Sequence, residues 1–548
     1  MPFYRLIIFT LLIYSSAYWG GCSPAPKTTV AQDSLDPAEN DTYIESSIGD
    51  ASYLNPILAT DTASSSINGL VFNGLVKYDE TLKITGDLAE SWEVGEGGLT
   101  LTFHLKRNIL WHDGTPFTAE DVLYTYLRLR DPEVKTPYSS NYEKVKEVKV
   151  LNPHTFKVVY NERFVPALES WGMGIVPKHV FGGATGKNFN EHPANKRPIG
   201  TGPYRFKEWK PDEKIVLESN PRYFNGKPKI ARYVFRIIPD SAVEFLELRN
   251  KSIDSMSLTP DQYFAYPEFF ESYDKYKFPS AVYTYLGFNL KNPLFADRRA
   301  RQAIAHAINK EELVGGVLLG MGQSASGPFL PLSWAYNPEV KDFAYDLDQS
   351  RALLKAAGWK DSDQDGWLDK DHKPFAFTII TNQGNKTRAL CAEIIQQQLK
   401  KIGIKIDIRV IEWSTFIKDF INNRNYDATI LGWALSPDPD QYGIWHSSQM
   451  KNGQYNFVGY SNPIVDKMLE QGRQEFDFNK RKELHRAMHK IIHEDAPYIF
   501  LFYPDSLPVI HKRFRGIKVA AISSFGFGWN FEKWYVPKKW VRYPVMAQ

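Results

Sequence analysis

Binding chemistry is concentrated in one stretch of the sequence, between Tyr426 and His446. Asp438 and Asp440 stand in a proline-containing loop, and aromatic residues such as Trp433 lie on either side of it. Trp and Tyr enclose ligands with rigid, amphipathic surfaces, while a few polar groups fix a ligand's orientation. We therefore predict that this loop forms the mouth of a binding site.

A second group of carboxylates has the spacing of a calcium loop. Asp361, Asp363 and Asp365 stand at alternate positions before Gly366, as at the start of an EF-hand loop. The twelfth position, which should be a glutamate, is His372, and a strand rather than a helix follows. We interpret the segment as an Asp/Gly turn, with a calcium site as the alternative.

Three histidines could bind a transition metal. His485, His489 and His493 are four residues apart, so a helix would place them on one face, where imidazoles could hold zinc or nickel. No carboxylate is clearly placed to orient the rings. Because the neighbouring residues are basic, we expect an exposed helix face, and we predict neither a metal ion nor a cofactor.

The motifs of common enzymes do not occur. The zinc-protease pattern His-Glu-x-x-His is absent, and so is a P-loop. The segment 322–327 (GQSASG) nearly forms a nucleophile elbow, but Ser326 occupies the position of the second glycine. We therefore predict that the protein is not an enzyme.

The elements that would position the binding loop alternate between strand and helix. Hydrophobic periodicity predicts a strand (374–381), a helix (387–401), a strand (404–410), a helix (414–422) and a strand (429–433). This order predicts two right-handed crossovers and a parallel sheet, in which ligands bind beyond the carboxyl ends of the strands. Those ends are 382–386, 412–413 and 434–440.

Three side chains near these ends are candidate ligand contacts. Trp413 and Trp433 could line the site, with core aromatics as the alternative. Arg388, near the start of the first helix, could hold a carboxylate of the ligand through two hydrogen bonds, with a solvated helix end as the alternative.

Composition limits the class of protein. A chain of 548 residues should form more than one domain, and 43% hydrophobic and 24% charged residues are typical of a folded protein. The net charge of +3 is small for this length and does not indicate nucleic-acid binding. Two cysteines exclude a disulfide framework. Cys391 lies on the apolar side of the first helix, so we expect a buried thiol.

The N-terminus has the pattern of an export signal. Arg5 precedes an apolar stretch that is too short to cross a membrane, and small residues come directly before Cys22. Residues 1–21 resemble a bacterial lipoprotein signal, which implies a lipid on Cys22. Trp19 stands where that motif usually has an aliphatic residue, so an ordinary cleaved signal peptide is the alternative. The composition of residues 22–41 predicts a flexible tether.

Eight segments of the chain resemble the extracellular solute-binding proteins that serve ABC importers of dipeptides, oligopeptides and nickel. The segments that carry the resemblance are 88–94 (LAESWEV), 101–106 (LTFHLK), 111–122 (WHDGTPFTAEDV), 198–209 (PIGTGPYRFKEW), 220–228 (NPRYFNGKP), 285–290 (YLGFNL), 297–313 (DRRARQAIAHAINKEEL) and 494–506 (EDAPYIFLFYPDS). Their number and order argue against chance similarity.

The resemblance implies a fold of α/β class, the two-lobed periplasmic-binding-protein fold with a hinge and an extra subdomain in the first lobe. The first lobe would contain residues 42–285 and 510–548, and the second lobe residues 286–509. The chain would cross at 285–290 and close over its ligand as a monomer.

The resemblance also implies specific ligand contacts. The positions that match the peptide-contacting segments are Ala63, Ser64 and Ser65 in the first lobe and Gly432, Trp433 and Ala434 in the second. Peptide-binding members carry an acidic residue for the peptide's amine where this chain has Ser436. This departure leaves free-amine recognition open, with Asp438 as the nearest acid that could replace it.

The resemblance predicts the solute-binding component of an ABC importer. It would capture di- to oligopeptides between two lobes and deliver them to a membrane permease. It would be exported to the periplasm or cell surface and anchored by a lipid at Cys22. The alternative is a binding protein for a non-peptide solute such as a nickel chelate. Ligand length, side-chain preference, the permease and the membrane that holds the anchor stay open.

Overall fold

The structure is a computed structural model that describes residues 36–519 and 529–545. The chain divides into a short unit, Met1–Asp36, and a compact unit, Pro37–Gln548. The predicted signal segment and Cys22 lie outside the described residues. Across the described ranges, no helix combines the length and the apolar character that a membrane crossing requires.

The described strands form five sheets. In chain order the strands are β1 (Asp41–Ser47), β2 (Val76–Tyr78), β3 (Ile84–Gly86), β4 (Ala89–Gly95), β5 (Thr100–Leu105), β6 (Val145–Asn152), β7 (Thr155–Tyr160), β8 (Tyr204–Lys210), β9 (Lys214–Ser219), β10 (Ile230–Ile237), β11 (Ser255–Ser257), β12 (Tyr273–Lys275), β13 (Phe278–Pro279), β14 (Val282–Phe288), β15 (Gly322–Ser324), β16 (Asp369–Lys370), β17 (Lys373–Pro374), β18 (Ala376–Asn382), β19 (Lys405–Ile411), β20 (Ala428–Ala434), β21 (Tyr498–Ser506) and β22 (Pro508–His511).

The described helices lie mainly between these strands. They are α1 (Thr62–Val71), α2 (Ala119–Arg130), α3 (Lys178–Phe181), α4 (Gly186–Asn190), α5 (Ser241–Arg249), α6 (Pro260–Phe264), α7 (Arg298–Ala307), α8 (Lys310–Gly316), α9 (Leu347–Ala356), α10 (Lys386–Lys400), α11 (Trp413–Thr415), α12 (Tyr442–Trp445), α13 (Pro463–Gly472) and α14 (Phe478–Asp495).

The first lobe is built on a seven-stranded sheet with the order β12-β22-β11-β1-β10-β9-β8. Its core contains a cluster of aromatic rings in which Tyr43 lies 5.1 Å from Phe514 and 5.0 Å from Phe531. A separate antiparallel sheet, β4-β5-β7-β6, forms the extra subdomain. Helix α2 begins with a capping box that Thr118 and Asp121 form.

The second lobe is built on a mixed sheet with the order β13-β21-β14-β20-β18-β19. Strand β18 runs parallel to both β19 and β20, which confirms the predicted parallel unit. Helix α10 begins one residue before the prediction, at Lys386. The second predicted helix is a single α-helical turn that continues as a π-helix, Phe416–Ile421.

Both faces of this sheet are covered, and this explains its continuous apolar strands. Along β14, Leu286 belongs to the core on one face and Tyr285 to the core on the other. Cys391 of α10 is a buried free thiol in the first of these cores, as predicted.

The chain passes between the two large sheets twice. It leaves the first sheet after β12 and enters the second at β13, and it returns between β21 and β22. The crossings are therefore 276–277 and Leu507. The sequence places the first crossing at 285–290 and the return at 510, but the structure has these residues at the end of β14 and inside β22. Both predicted crossings lie too far along the chain. The sequence of an apolar strand does not indicate which of the two sheets the strand joins.

Candidate functional site

A cavity of about 1310 Å³ lies between the two lobes. Its wall contains residues from the first lobe, such as Ser65 and Tyr138, and residues from the second lobe, such as Trp433. Pockets for drug-sized ligands are usually about 300–1,000 Å³. The cavity can therefore hold a longer ligand. All three predicted strand ends contribute to it through Asn385, Trp413 and the loop after β20, and Arg388 lines it as well.

Strand β20 turns two backbone positions toward this cavity. It runs antiparallel to β14, and the N–H of Leu435 donates to the carbonyl of Ala281 at 2.8 Å. Bonded positions alternate along an antiparallel pair. The N–H and C=O groups of Gly432 and Ala434 therefore point away from β14.

The opposite edge of β20 is paired only at its start. Strand β18 pairs with Ala428 and Thr429, and the hydroxyl of Thr381 then donates to the carbonyl of Ile430 at 3.1 Å. Beyond this point, no strand in the described part of the chain pairs with 432–434 on that side. The cavity occupies the place of the missing strand.

Position 432 requires glycine because two groups lie close to its Cα. A Cβ at this position would lie 3.0 Å from the Tyr283 carbonyl and 3.0 Å from Nη2 of Arg388. Any larger side chain would have to displace one of these groups. The guanidinium of Arg388 therefore lies directly beside the open edge of β20.

Arg388 has a neutral partner but no acid. Its Nη1 donates to Oδ1 of Asn382 at 2.8 Å, and it forms no ion pair with any described residue. Burial lowers the pKa of Arg388 to about 10. A partly buried cation without a counter-ion is costly, and a ligand carboxylate would remove that cost. The alternative of a fully solvated helix end is wrong.

The two predicted tryptophans belong to both the cavity wall and the cores. The indole N–H of Trp433 donates to the Tyr498 hydroxyl at 3.2 Å, and its ring stacks on Phe457 at 5.6 Å. Trp413 packs against the first lobe, since a Cβ on Gly49 would lie 2.6 Å from its ring. Each tryptophan therefore combines the two roles that the sequence treats as alternatives.

The acidic residues of the loop after β20 are neutralised. Both carboxylate oxygens of Asp438 accept hydrogen bonds from Arg481 at 2.7 Å, and Asp440 accepts from Arg473 at 2.9 Å. The suggestion that Asp438 receives a ligand amine is therefore a poor fit, because its charge is already paired. Ser436 is exposed and lines the cavity.

The predicted contacts in the first lobe lie in the first turn of α1, not in a strand. Ser64 is fully buried, and its hydroxyl donates to Asp61 and accepts from the backbone of Ser52. Ala63 is also buried, and only Ser65 reaches the cavity. Residues 63–65 therefore offer no strand edge to a ligand, and the N–H groups of Ser64 and Ser65 are already bonded to Asp61.

Several residues of the site have no signal in the sequence. The Tyr455 hydroxyl donates to the Tyr138 hydroxyl at 3.0 Å across the two lobes. Arg473 of the second lobe donates to the Ser140 carbonyl and to Oδ1 of Asn141, both at 3.1 Å. These partners lie far apart in sequence, so no local pattern could pair them.

The expectation of an exposed histidine face is wrong. His485, His489 and His493 are all buried on α14, and burial lowers the pKa of each to about 4. The His489 ring accepts from the backbone N–H of Asn337 at 3.1 Å, and His493 stacks on Phe343 at 4.4 Å. These rings are core residues in the structure.

The Asp361, Asp363 and Asp365 carboxylates are exposed and lie within 4.8 Å of one another. The loop leads into the short hairpin of β16 and β17. One carboxylate already has a hydrogen bond within the loop, since the Gly366 N–H donates to Asp361 at 3.0 Å. The hairpin agrees with the turn that the sequence predicts at this position.

Comparison with known proteins identifies the class. The chain belongs to the bacterial extracellular solute-binding proteins, because the model of their family 5 (Middle) matches residues 83–455. Its two-lobed fold is that of periplasmic binding proteins, and solved structures of relatives share it.

Individual relatives are similar over nearly their whole length. The chain is 35% identical to the oligopeptide-binding protein AppA of Bacillus subtilis, over 97% of this chain and 98% of the relative. The structure of that AppA with a nonapeptide has a TM-score of 0.88 at 34% identity, covering 92% of this chain and 100% of the other. NikZ from Campylobacter jejuni with Ni(L-His) has a TM-score of 0.81 at 30% identity, covering 90% and 99%.

Proposed function

We propose that the protein captures extended peptides between its two lobes and delivers them to the permease of an ABC importer. The observation that carries this proposal is the open edge of β20, where Gly432 and Ala434 offer backbone groups to the cavity. A peptide would add a strand there, and main-chain hydrogen bonds would hold it without selecting its side chains.

Arg388 would receive a carboxylate of the peptide. The guanidinium lies beside Gly432 and has no acid partner among the described residues. A carboxylate could accept two parallel hydrogen bonds from it. Trp413 and Trp433 would form apolar walls on either side of the peptide.

The size of the cavity favours a peptide over a small solute. AppA of Bacillus subtilis was solved with a nonapeptide and NikZ of Campylobacter jejuni with a nickel–histidine complex. A cavity of about 1310 Å³ would be mostly empty around one amino-acid chelate. A nickel chelate remains the second candidate because the NikZ fold is so similar.

The work of the protein would be closure rather than chemistry. A ligand stabilises the closed state through contacts that it makes only there. We assign the hinges to 276–277 and Leu507, where the chain changes sheets. A lipid on Cys22 would anchor this monomer to a membrane through the tether 22–41, and peptide-mapping mass spectrometry of the exported protein would detect that lipid.

Native mass spectrometry of protein purified from its own cells tests the function. A series of bound peptide masses supports peptide capture, whereas a single metal-chelate mass supports the second candidate. Release of a peptide library unchanged after incubation would agree with binding alone, and cleavage products would instead indicate an enzyme. Absence of any retained peptide, from cells or from the library, would overturn the proposal.

A further inference from the structure

Among the described residues, five carboxylates line the cavity, and four of them have clear partners. Asp438 and Asp440 pair with arginines, and Asp505 lies 3.4 Å from Lys277. Asp61 caps α1 by accepting the N–H and the hydroxyl of Ser64. Each of these acids is therefore occupied within the protein.

Glu169 is the fifth carboxylate. It lies on the short 3-10 turn Glu169–Gly172 of the first lobe, opposite the loop that contains Asp438 and Asp440. Its carboxylate accepts a hydrogen bond from the Tyr78 hydroxyl, and it forms no ion pair with any residue that the structure describes. Glu169 is thus a partly buried carboxylate that lines the cavity and forms no ion pair within the described part of the chain. Arg388 is in the same situation with the opposite charge.

The surroundings of Glu169 oppose its ionisation in the empty protein. Burial, and then the negative charges of Asp438 and Asp440, raise the pKa of Glu169 to about 7, although Tyr78 and Arg481 act in the other direction. Arg473 is held by Asp440 and is not free to compensate. A cation from outside would supply the missing partner.

We propose that Glu169 binds a positively charged group of the peptide, either its N-terminal ammonium or a lysine side chain. This contact would come from the first lobe and would replace the one that Ser436 cannot make in the second. Because Glu169 and the open edge of β20 lie on different lobes, the contact would also favour the closed state. The inference rests on the proposed peptide function.

The experiment uses synthetic pentapeptide to nonapeptide libraries without Arg or His, in three forms. The first form has a free N-terminus and no lysine, the second is N-acetylated with one lysine, and the third is N-acetylated without lysine. Each form competes for capture by the full-length protein in native mass spectrometry, at pH 6 and at pH 8. The Glu169→Gln variant is compared with Glu191→Gln, which removes an exposed carboxylate directly after α4.

At pH 8 the wild-type protein should capture the first or the second form at least tenfold better than the third, as a charge-assisted hydrogen bond requires. The better form identifies which ammonium is bound. The preference should fall at pH 6, because Glu169 then binds a proton, and it should disappear in Glu169→Gln but not in Glu191→Gln. Equal capture of all three forms, or an unchanged preference in Glu169→Gln, would overturn the inference while peptide capture itself stood.

A second measurement separates binding from a structural role. An acid whose pKa is raised on folding costs stability as the pH rises from about 4.5 toward 7. Glu169→Gln should therefore raise the melting temperature of the empty protein at pH 8. A lower melting temperature would mean that the carboxylate is structural. Failure of the wild type to capture any of the three forms would remove the peptide function and this inference together.

Discussion

At the scale of single residues, Arg388 and Glu169 line the cavity and form no ion pair with any described residue. Arg388 stands beside Gly432, and Glu169 faces the loop after β20. Several other buried charges of the described residues are paired, as Arg513 is with Asp254 at 2.8 Å. A partly buried charge without an opposite charge is costly, so we propose that charges on the ligand pair with these two groups.

Arg388→Gln should weaken capture of peptides that have a free C-terminus by about ten- to a hundredfold, because it removes a charge-assisted pair. C-terminally amidated peptides should bind both proteins alike. Isothermal titration with matched free and amidated peptides measures the difference, and Arg351→Gln on the surface of α9 is the control. An equal loss for the amidated peptide would mean that Arg388 only maintains the fold.

His485→Leu should stabilise the protein, and more so at pH 5 than at pH 7.5. Both ring nitrogens of His485 are buried without a hydrogen-bond partner, and burial lowers its pKa from 6.5 to about 4. Between these values the unfolded chain binds the extra proton, so stability falls as the pH falls, by on the order of 3 kcal/mol in total.

Urea unfolding at the two pH values measures this effect, with His104→Leu on the exposed face of β5 as the control. The expected result is a higher urea midpoint for His485→Leu and a smaller drop between pH 7.5 and pH 5. A drop as large as that of the wild type would show that other groups cause the acid sensitivity.

At the scale of elements, β20 joins the core to the site. Its first residues are buried between two layers of helices, and its last residues have an edge without a neighbouring strand. A buried strand of this kind holds its open edge rigidly, and rigid edges bind with a smaller loss of entropy. The element therefore prepares backbone groups for a peptide before the peptide arrives.

Gly432→Ala should lower peptide affinity by about tenfold or more, since its Cβ would lie 3.0 Å from both the Tyr283 carbonyl and Arg388. The intrinsic tryptophan fluorescence of the protein during titration with a peptide measures the affinity. Gly315→Ala in α8 is the control, because no atom lies within 4 Å of its Cβ. Unchanged affinity in Gly432→Ala would show that the peptide lies elsewhere in the cavity.

At the scale of the whole molecule, the two lobes are linked by a few polar contacts around the cavity. Arg473 is the most connected of the linking residues: it pairs with Asp440 in its own lobe and donates to Ser140 and Asn141 in the other. Its guanidinium also lies 3.9 Å from the centre of the Tyr442 ring. Such a residue stabilises closure through contacts that exist only when the lobes meet.

Arg473→Lys should therefore leave a larger open fraction and faster release of peptide. Lysine keeps the charge but cannot reproduce the planar set of hydrogen bonds. Small-angle scattering with saturating peptide measures the open fraction of the protein. Stopped-flow mixing measures the rate of peptide release. Arg351→Lys is the control for the substitution, and a closed fraction equal to that of the wild type would exclude this role for Arg473.

Much of the second lobe could be predicted from the sequence. The alternation around 404–410 and the apolar run at 429–433 specify β19 and β20 because side-chain period and burial are local properties. The rule that ligands bind beyond parallel strand ends then leads to the loop after β20. The resemblance in eight segments adds the family, and thus the two lobes.

The sequence by itself determined the parallel unit, the loop that lines the cavity and the class of protein. Only the tertiary structure decided that Asp438 is paired with Arg481 and Asp440 with Arg473, and that the histidines of α14 are buried. It also decided that Arg388 and Glu169 form no ion pair with any described residue. The physical reason is that charge pairing and burial depend on neighbours from distant parts of the chain. A carboxylate looks the same in the sequence whether or not an arginine reaches it.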